Sequence, residues 1–294
     1  MNEFKRFHPI VNFIYFLFVI GCSMFFMHPA CLIISFSCAF LYSVILKGKK
    51  AIKTNLIYMI PIILLTAIIN PAFNHEGVNI LTYLPGGNPL TLESIIYGFA
   101  AALMLVSVFG WFSCYNEVMT SDKFIYLFGR IIPSLSLIIS MTLRFVPRFA
   151  AQLKTVVAAQ KCVGREVSGS VVKRAKNGLS ILSVMVTWAL ENSIETADSM
   201  KSRGYGLPGR TAFSIFVFDK RDLKTLLYIV ILGVYVLVGN YFGGMYFRYF
   251  PSMKGTECSV FSVSVFAAYF LMCIMPVIIE VKEAVKWKSI KSKI

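Results

Sequence analysis

Hydrophobic and polar positions separate into blocks along most of this chain. Five runs hold no Asp, Glu, Lys or Arg: residues 7–46, 54–75, 94–116, 225–247 and 258–279. A helical bilayer crossing takes roughly 20 apolar residues, so the first run is long enough for two helices and each of the others for one. Met27-His28-Pro29 divides the first run, since proline cannot continue the backbone ladder there. The pattern predicts six spans. Asn70-Pro71 and Gly239 are candidate interruptions within them.

Residues 117–224 read differently, with charged and apolar positions alternating. Two apolar cores of thirteen residues remain, 131–143 and 178–190. That length is short for a span and typical of a buried or interfacial helix. The two are expected to pack on each other and against the membrane surface. One helix is expected from Pro133 to about Val163, with Pro147 kinking or dividing it. Its downstream half carries Phe149, Leu153, Val156, Val157 and Gln160 at helical spacing. A second is expected from about Ile181 to Arg203, with Glu191, Glu195 and Asp198 on one face at i, i+4 and i+7. Those acids are either a solvated stripe or the partners of Arg148, Lys154 and Lys161. Gly204 follows the last periodic residue, with Gly206, Pro208 and Gly209 beyond it, which is a strong stop signal. Gly164 is placed to end the first helix in the same way. Taken singly, Arg203 complements the negative end of a helix dipole. Two long helices that each end in glycine with an arginine at the tip, joined to spans without chemistry of their own, point to pegs for a soluble partner.

Composition fixes the environment. Of 294 residues, 57% are apolar and 15% charged, the balance of an integral membrane protein. With the N-terminus inside, the cytoplasmic segments hold 27 of the 29 basic residues, and the outer loops keep only Arg248 and Lys254. The positive-inside rule then places both termini in the cytoplasm of a multi-pass cell-membrane protein. The net charge of +15 is accounted for by anionic headgroups of the bilayer, with no nucleic acid. A cleaved signal peptide is the rival reading of the first 30 residues, weakened by Pro29 and by the immediate return of apolar sequence. The cysteines show neither a disulfide framework nor metal-ligand spacing. The expected fold is all-α: a polytopic membrane protein with about six transmembrane helices and a cytoplasmic helical coupling lobe. Residues 1–116 form the N-terminal spans, 117–224 the coupling-helix domain, 225–280 the C-terminal spans and 281–294 a basic cytoplasmic tail.

Residues 124–165 (FIYLFGRIIPSLSLIISMTLRFVPRFAAQLKTVVAAQKCVGR) and 187–206 (TWALENSIETADSMKSRGYG) resemble the transmembrane T component of energy-coupling factor (ECF) transporters. The resemblance lies in a proline, an apolar helix, Arg-Phe-x-Pro and Ala-Gln-Lys, then Glu-x-x-x-x-Ala-x-x-Met-x-x-Arg-Gly-Tyr. In that family each of two coupling helices ends in a three-residue motif with a central arginine, docked on one of two cytoplasmic ATP-binding subunits. Ser202, Arg203 and Gly204 correspond to the second motif. Cys162, Val163 and Gly164 occupy the first, with Val163 where the arginine stands and Arg165 two residues on. The resemblance also implies a separate small membrane protein that binds the substrate, commonly a vitamin or a transition-metal ion. The apolar faces around Leu137 and Val184 are the expected surface for that subunit.

The remaining residues fit a force-conducting subunit that is not an enzyme. The chain has no Gly-x-x-x-x-Gly-Lys-Ser/Thr loop, so ATP hydrolysis must come from partners. No cofactor or metal is expected: His8, His28 and His75 are scattered, and His75-Glu76 lacks the second histidine of a zinc-protease helix. Glu76, Asn79 and Glu93 are the only polar cluster available to an intramembrane enzyme, and they lack a nucleophile with an adjacent base. The outer loop from Asn70 to Leu92, rich in Gly, Pro and Asn and without a basic residue, reads as a plain connector. The alternative is the permease of an ordinary ATP-driven importer or a secondary transporter, which calls for polar ligands at the bilayer midplane.

Overall fold

The structure, a computed structural model, describes residues 3–83, 88–129, 133–163, 171–205, 207, 216–256 and 259–291, with the side chains of 133–137 outside that description. Among these residues are nine α-helices: α1 (Pro9–Phe25), α2 (Pro29–Lys47), α3 (Lys49–Phe73), α4 (Leu92–Val118), α5 (Ser121–Gly129), α6 (Pro133–Cys162), α7 (Val171–Ser202), α8 (Lys220–Tyr241) and α9 (Val260–Lys291). Two short antiparallel hairpins, β1 (Ile80–Tyr83) with β2 (Pro89–Thr91) and β3 (Phe247–Arg248) with β4 (Lys254–Gly255), lie in the connections after α3 and α8. The protein is an all-α, multi-pass membrane protein.

Five helices, α2, α3, α4, α8 and α9, are long and apolar enough to cross a membrane, and α1 is a shorter apolar helix of 17 residues. The long first run breaks where Met27-His28-Pro29 stands, and the same device starts both of its helices. Pro9 and Pro29 each sit in the first turn, where a missing N–H forfeits no helical bond. The preceding His8 and His28 then cap, each Nδ1 accepting from the N–H two residues on, Ile10 at 3.3 Å and Ala30 at 3.2 Å. Neither candidate interruption breaks its helix. Helix α3 runs through Pro71 and α8 runs through Gly239. Gly239 is instead a point of close approach: a Cβ there would lie 2.6 Å from Val265 Cγ2, so the missing side chain is what lets α8 and α9 pack.

The chain divides into two compact units, Met1–Phe124 with Phe216–Ile294, and Ile125–Ile215. In the first, α4 lies against α1, α2 and α3, while α9 lies against α2 and α8. Trp111, Tyr15, Tyr42 and Phe16 are buried at its centre. The polar atoms of Trp111 and Tyr15 are partnered, as burial requires, while the buried Tyr42 hydroxyl makes no hydrogen bond among the described residues. Trp111 Nε1 donates to Ser35 Oγ at 3.0 Å, Ser35 and Ser23 share a 2.6 Å hydrogen bond, and the Tyr15 hydroxyl donates to the Cys273 carbonyl at 3.1 Å. The N-terminal turn closes one end of this core. Phe4 is fully buried edge-on to Tyr15, and its N–H donates to the buried Glu280 carboxylate at 3.0 Å.

A buried polar knot sits beside it. The Lys123 ammonium donates to the backbone carbonyls of Lys5 and Phe7. Asp222 in the first turn of α8 receives the His8 N–H at 3.5 Å and forms a capping box with Asp219. Arg221 lies 4.3 Å over the Phe7 ring. Burial, with the Lys5 charge adding to it and Asp222 opposing, pushes Lys123 down to about 8 from the ordinary 10.5.

The second unit holds α6 and α7, which touch each other. Helix α6 is continuous through Pro147, so the proline does not divide it. Helix α7 starts at Val171, ten residues before the expected Ile181, and takes in Lys173, Arg174 and Lys176 as solvated helix surface. In the first unit α9 likewise continues to Lys291, so most of the basic tail is helical.

Candidate functional site

The surface to be built is the pair α6 and α7 with their C-terminal ends. On α6 the more buried positions include Met141, Phe145, Phe149, Gln152, Val156, Val157 and Gln160, and on α7 they include Ile181, Met185, Trp188, Asn192 and Thr196. Both sets recur at three- or four-residue spacing, one stripe on each helix. Leu153, expected on the packed face, is exposed instead. At the contact, Phe149 meets Trp188 edge-on with centroids 5.3 Å apart, and the Arg148 guanidinium lies 5.7 Å from the same indole. The pairing of Arg148, Lys154 and Lys161 with the α7 acids does not form. Glu191, Glu195 and Asp198 are exposed, and among the described residues none has an ion pair with α6. Exposed ion pairs contribute about 0–1 kcal/mol. An aromatic and cation–π contact therefore does what the sequence left between two charge readings.

The end of α7 is a complete glycine cap. Gly204 has φ +73°, the left-handed conformation that costs a side-chain-bearing residue about 1 kcal/mol or more. Its N–H donates to the Lys201 carbonyl at 2.9 Å, and the Tyr205 N–H reaches back to the Met200 carbonyl at 3.0 Å. This pair of bonds, six-to-one enclosing five-to-two, is a Schellman motif, which satisfies carbonyls the helix would leave open. Ser202 Oγ donates to the Ser199 carbonyl at 2.9 Å, locking the last turn from the side. Arg203 thereby stands one residue past the end of α7, inside the hydrogen-bonded cap, with its side chain exposed.

The first tip is described only as far as Val163. Its N–H continues the helix to the Ala159 carbonyl at 3.2 Å, and its side chain is 77% exposed, an apolar knob at the end of α6. Gly164 and Arg165 lie outside the described residues. The backbone of Leu137 is helical, and its side chain also lies outside the description. Val184 is exposed on α7 but stands apart from that helix's main apolar stripe. Leu179, Leu182, Val186, Leu190 and Ile194 recur at steps of three and four, all more than half exposed. This stripe is the feature the sequence reading missed, and its signal was the spacing that continues past residue 190 beside the acids.

The polar loop before α4 is a structural cap. Glu93, fully buried in the first turn of α4, accepts from the Asn79 N–H at 3.3 Å and from its side-chain amide at 2.9 Å. Thr91 donates to the Glu76 carbonyl at 2.7 Å, and Ser94 to the Asn74 carbonyl at 2.8 Å. These bonds fasten the loop to the helix start, so it is more built than a plain connector. Among the described residues no group of three metal-ligating side chains converges.

Spans, capped tip and exposed stripe define the class: an all-α, multi-pass membrane protein. No family profile matches the sequence. Relatives do: the chain is similar to the energy-coupling factor transporter transmembrane protein EcfT. It is 34% identical to that of Lactobacillus helveticus over 109 residues, 36% of this chain and 39% of the relative. It is 32% identical to that of Staphylococcus aureus over 37% of this chain and 41% of the relative, and 31% identical to that of Acidaminococcus fermentans over 51% and 59%. The matched stretch thus spans between 39% and 59% of these relatives' own length. Their name is that of a transporter membrane subunit, in agreement with the resemblance read from residues 124–165 and 187–206.

Proposed function

We propose that this chain is the transmembrane coupling subunit of an ECF-type, ATP-driven importer in the cell membrane, with both termini in the cytoplasm. Two cytoplasmic ATP-binding subunits dock on the ends of α6 and α7. A small membrane protein that binds the substrate, a vitamin or a metal ion, lies against their apolar surfaces, including Leu137, Val184 and the stripe from Leu179 to Ile194. Arg203 is the docking charge, since a guanidinium held at a rigid helix end forms several charge-assisted bonds in a carboxylate-lined groove without first being ordered. At the other tip Val163 supplies apolar contact, and Arg165 supplies whatever charge that site uses. The observation that carries this reading is the glycine-capped end of α7, where Ser202 and Arg203 stand exposed on a turn closed by Gly204.

Purification of the tagged chain from its native membranes tests it. Recovery of two ATPases and one small membrane protein in fixed proportion supports the assignment. Recovery of the chain alone under conditions that keep other membrane complexes intact contradicts it.

A further inference from the structure

A groove between α3 and α4 encloses a cavity of about 400 Å³. Its lining passes from Lys47, Asn55 and Ser113 to Tyr58, Ile62 and Phe109. Helices α3 and α4 run antiparallel, since Gly98 abuts Asn70 and Gly110 abuts Met59. The polar residues therefore share one end of the groove, and the apolar ones lie further into the span. Tyr58 and Phe109 are 67% and 55% exposed, so the groove opens outward between two membrane-crossing helices.

Lys47 closes the polar end. Its ammonium donates to Ser113 Oγ at 2.6 Å, which leaves two of three N–H donors for another acceptor. Lys49, Lys50 and Lys53 follow within two turns, all exposed, and residues 4–75 contain no acid. Among the described residues none of these four lysines has an ion pair. Between Lys47 and Lys49, Gly48 starts α3 without a side-chain cap, which leaves the positive end of that helix beside Lys47. Lys47 thus lines the polar mouth of an apolar slot, and three more exposed lysines and an uncapped helix start follow it in the chain.

We propose that this groove binds one anionic phospholipid, with its phosphate on the Lys47–Lys53 turn and an acyl chain along Tyr58, Ile62 and Phe109. Charge and shape select that occupant together. A zwitterionic lipid brings a choline cation against four lysines, and an acidic soluble partner satisfies the lysines but leaves the apolar slot between two spans unfilled. The inference requires that α2, α3 and α4 cross the membrane and is independent of the transporter assignment.

The test is the thermal midpoint of the whole detergent-purified chain, titrated with phosphatidylglycerol, with phosphatidylcholine and with inorganic phosphate. Phosphatidylglycerol is expected to raise the midpoint saturably, and the other two are not. Lys47→Gln, which keeps a donor for Ser113, and Lys50→Gln, whose side chain makes no described hydrogen bond, should each weaken the apparent affinity about fivefold. Lys288→Gln, which removes the same charge from the end of α9, should leave it unchanged. An equal shift with phosphatidylcholine or with phosphate alone would overturn the proposal, as would an equal loss in Lys288→Gln.

Discussion

Lys123 shows how much a single residue in this molecule depends on distant partners. It is buried beside Lys5 and Asp222, with its ammonium on two carbonyls of the N-terminal segment. Its folded value of about 8 lies below the ordinary 10.5, so the sign follows directly. Below pH 8 the group is charged in both states and its burial opposes folding in full. Between about 8 and 10.5 the unfolded chain holds the proton that the folded chain has released, so stability rises with pH across that window. The thermal midpoint of the wild type should therefore climb between pH 7.5 and 9.5 relative to that of Lys123→Met. Parallel profiles for the two proteins would show that the buried ammonium carries no such penalty. Nothing local in the sequence marks this knot, because Lys123 stands 118 positions from Lys5 and the His8–Asp222 bond closes 214.

At the scale of elements, the charge-free runs made the spans legible, and the glycine after Arg203 marked the end of α7. The start of α7 was obscured because Lys173, Arg174 and Lys176 interrupt the apolar pattern, although charged residues on a solvated face cost a helix little. The hold between α6 and α7 was hidden for a related reason. Complementary charges suggest ion pairs, whereas the contact is made by Phe149, Arg148 and Trp188. Trp188→Ala should lower the stability of the 125–215 unit by about 1–2 kcal/mol through lost packing and cation–π attraction. Glu195→Ala should stay within about 0.5 kcal/mol of wild type, as exposed positions do. Hydrogen exchange along α6 and α7 reads both, and a larger effect at Glu195 than at Trp188 would restore the salt-bridge reading. The stripe on α7 has its own test in the assembled complex. Leu190→Asp should release the small membrane subunit while the ATPases stay bound, and Val184→Asp, off the stripe, should release less of it. The reverse order would place the partner on the other face.

For the whole molecule, the six apolar helices among the described residues make a membrane body, and under the proposed function α6 and α7 carry the surfaces for partners. The two tips differ in chemistry. Arg203 offers a charge whose loss from a buried pair typically costs about 2–5 kcal/mol, whereas Val163 offers only apolar contact. Uptake should therefore depend on the second tip more than on the first: Arg165→Ala should impair it less than Arg203→Ala, and Val163→Arg should be tolerated. The most direct measurement is substrate uptake by cells carrying Arg203→Glu, with co-purification of the ATPases from the same membranes. Loss of uptake together with loss of at least one ATPase contact, in a protein that still inserts at wild-type level, is the expected result. Full transport by Arg203→Glu would contradict the assignment of Arg203 as the coupling residue.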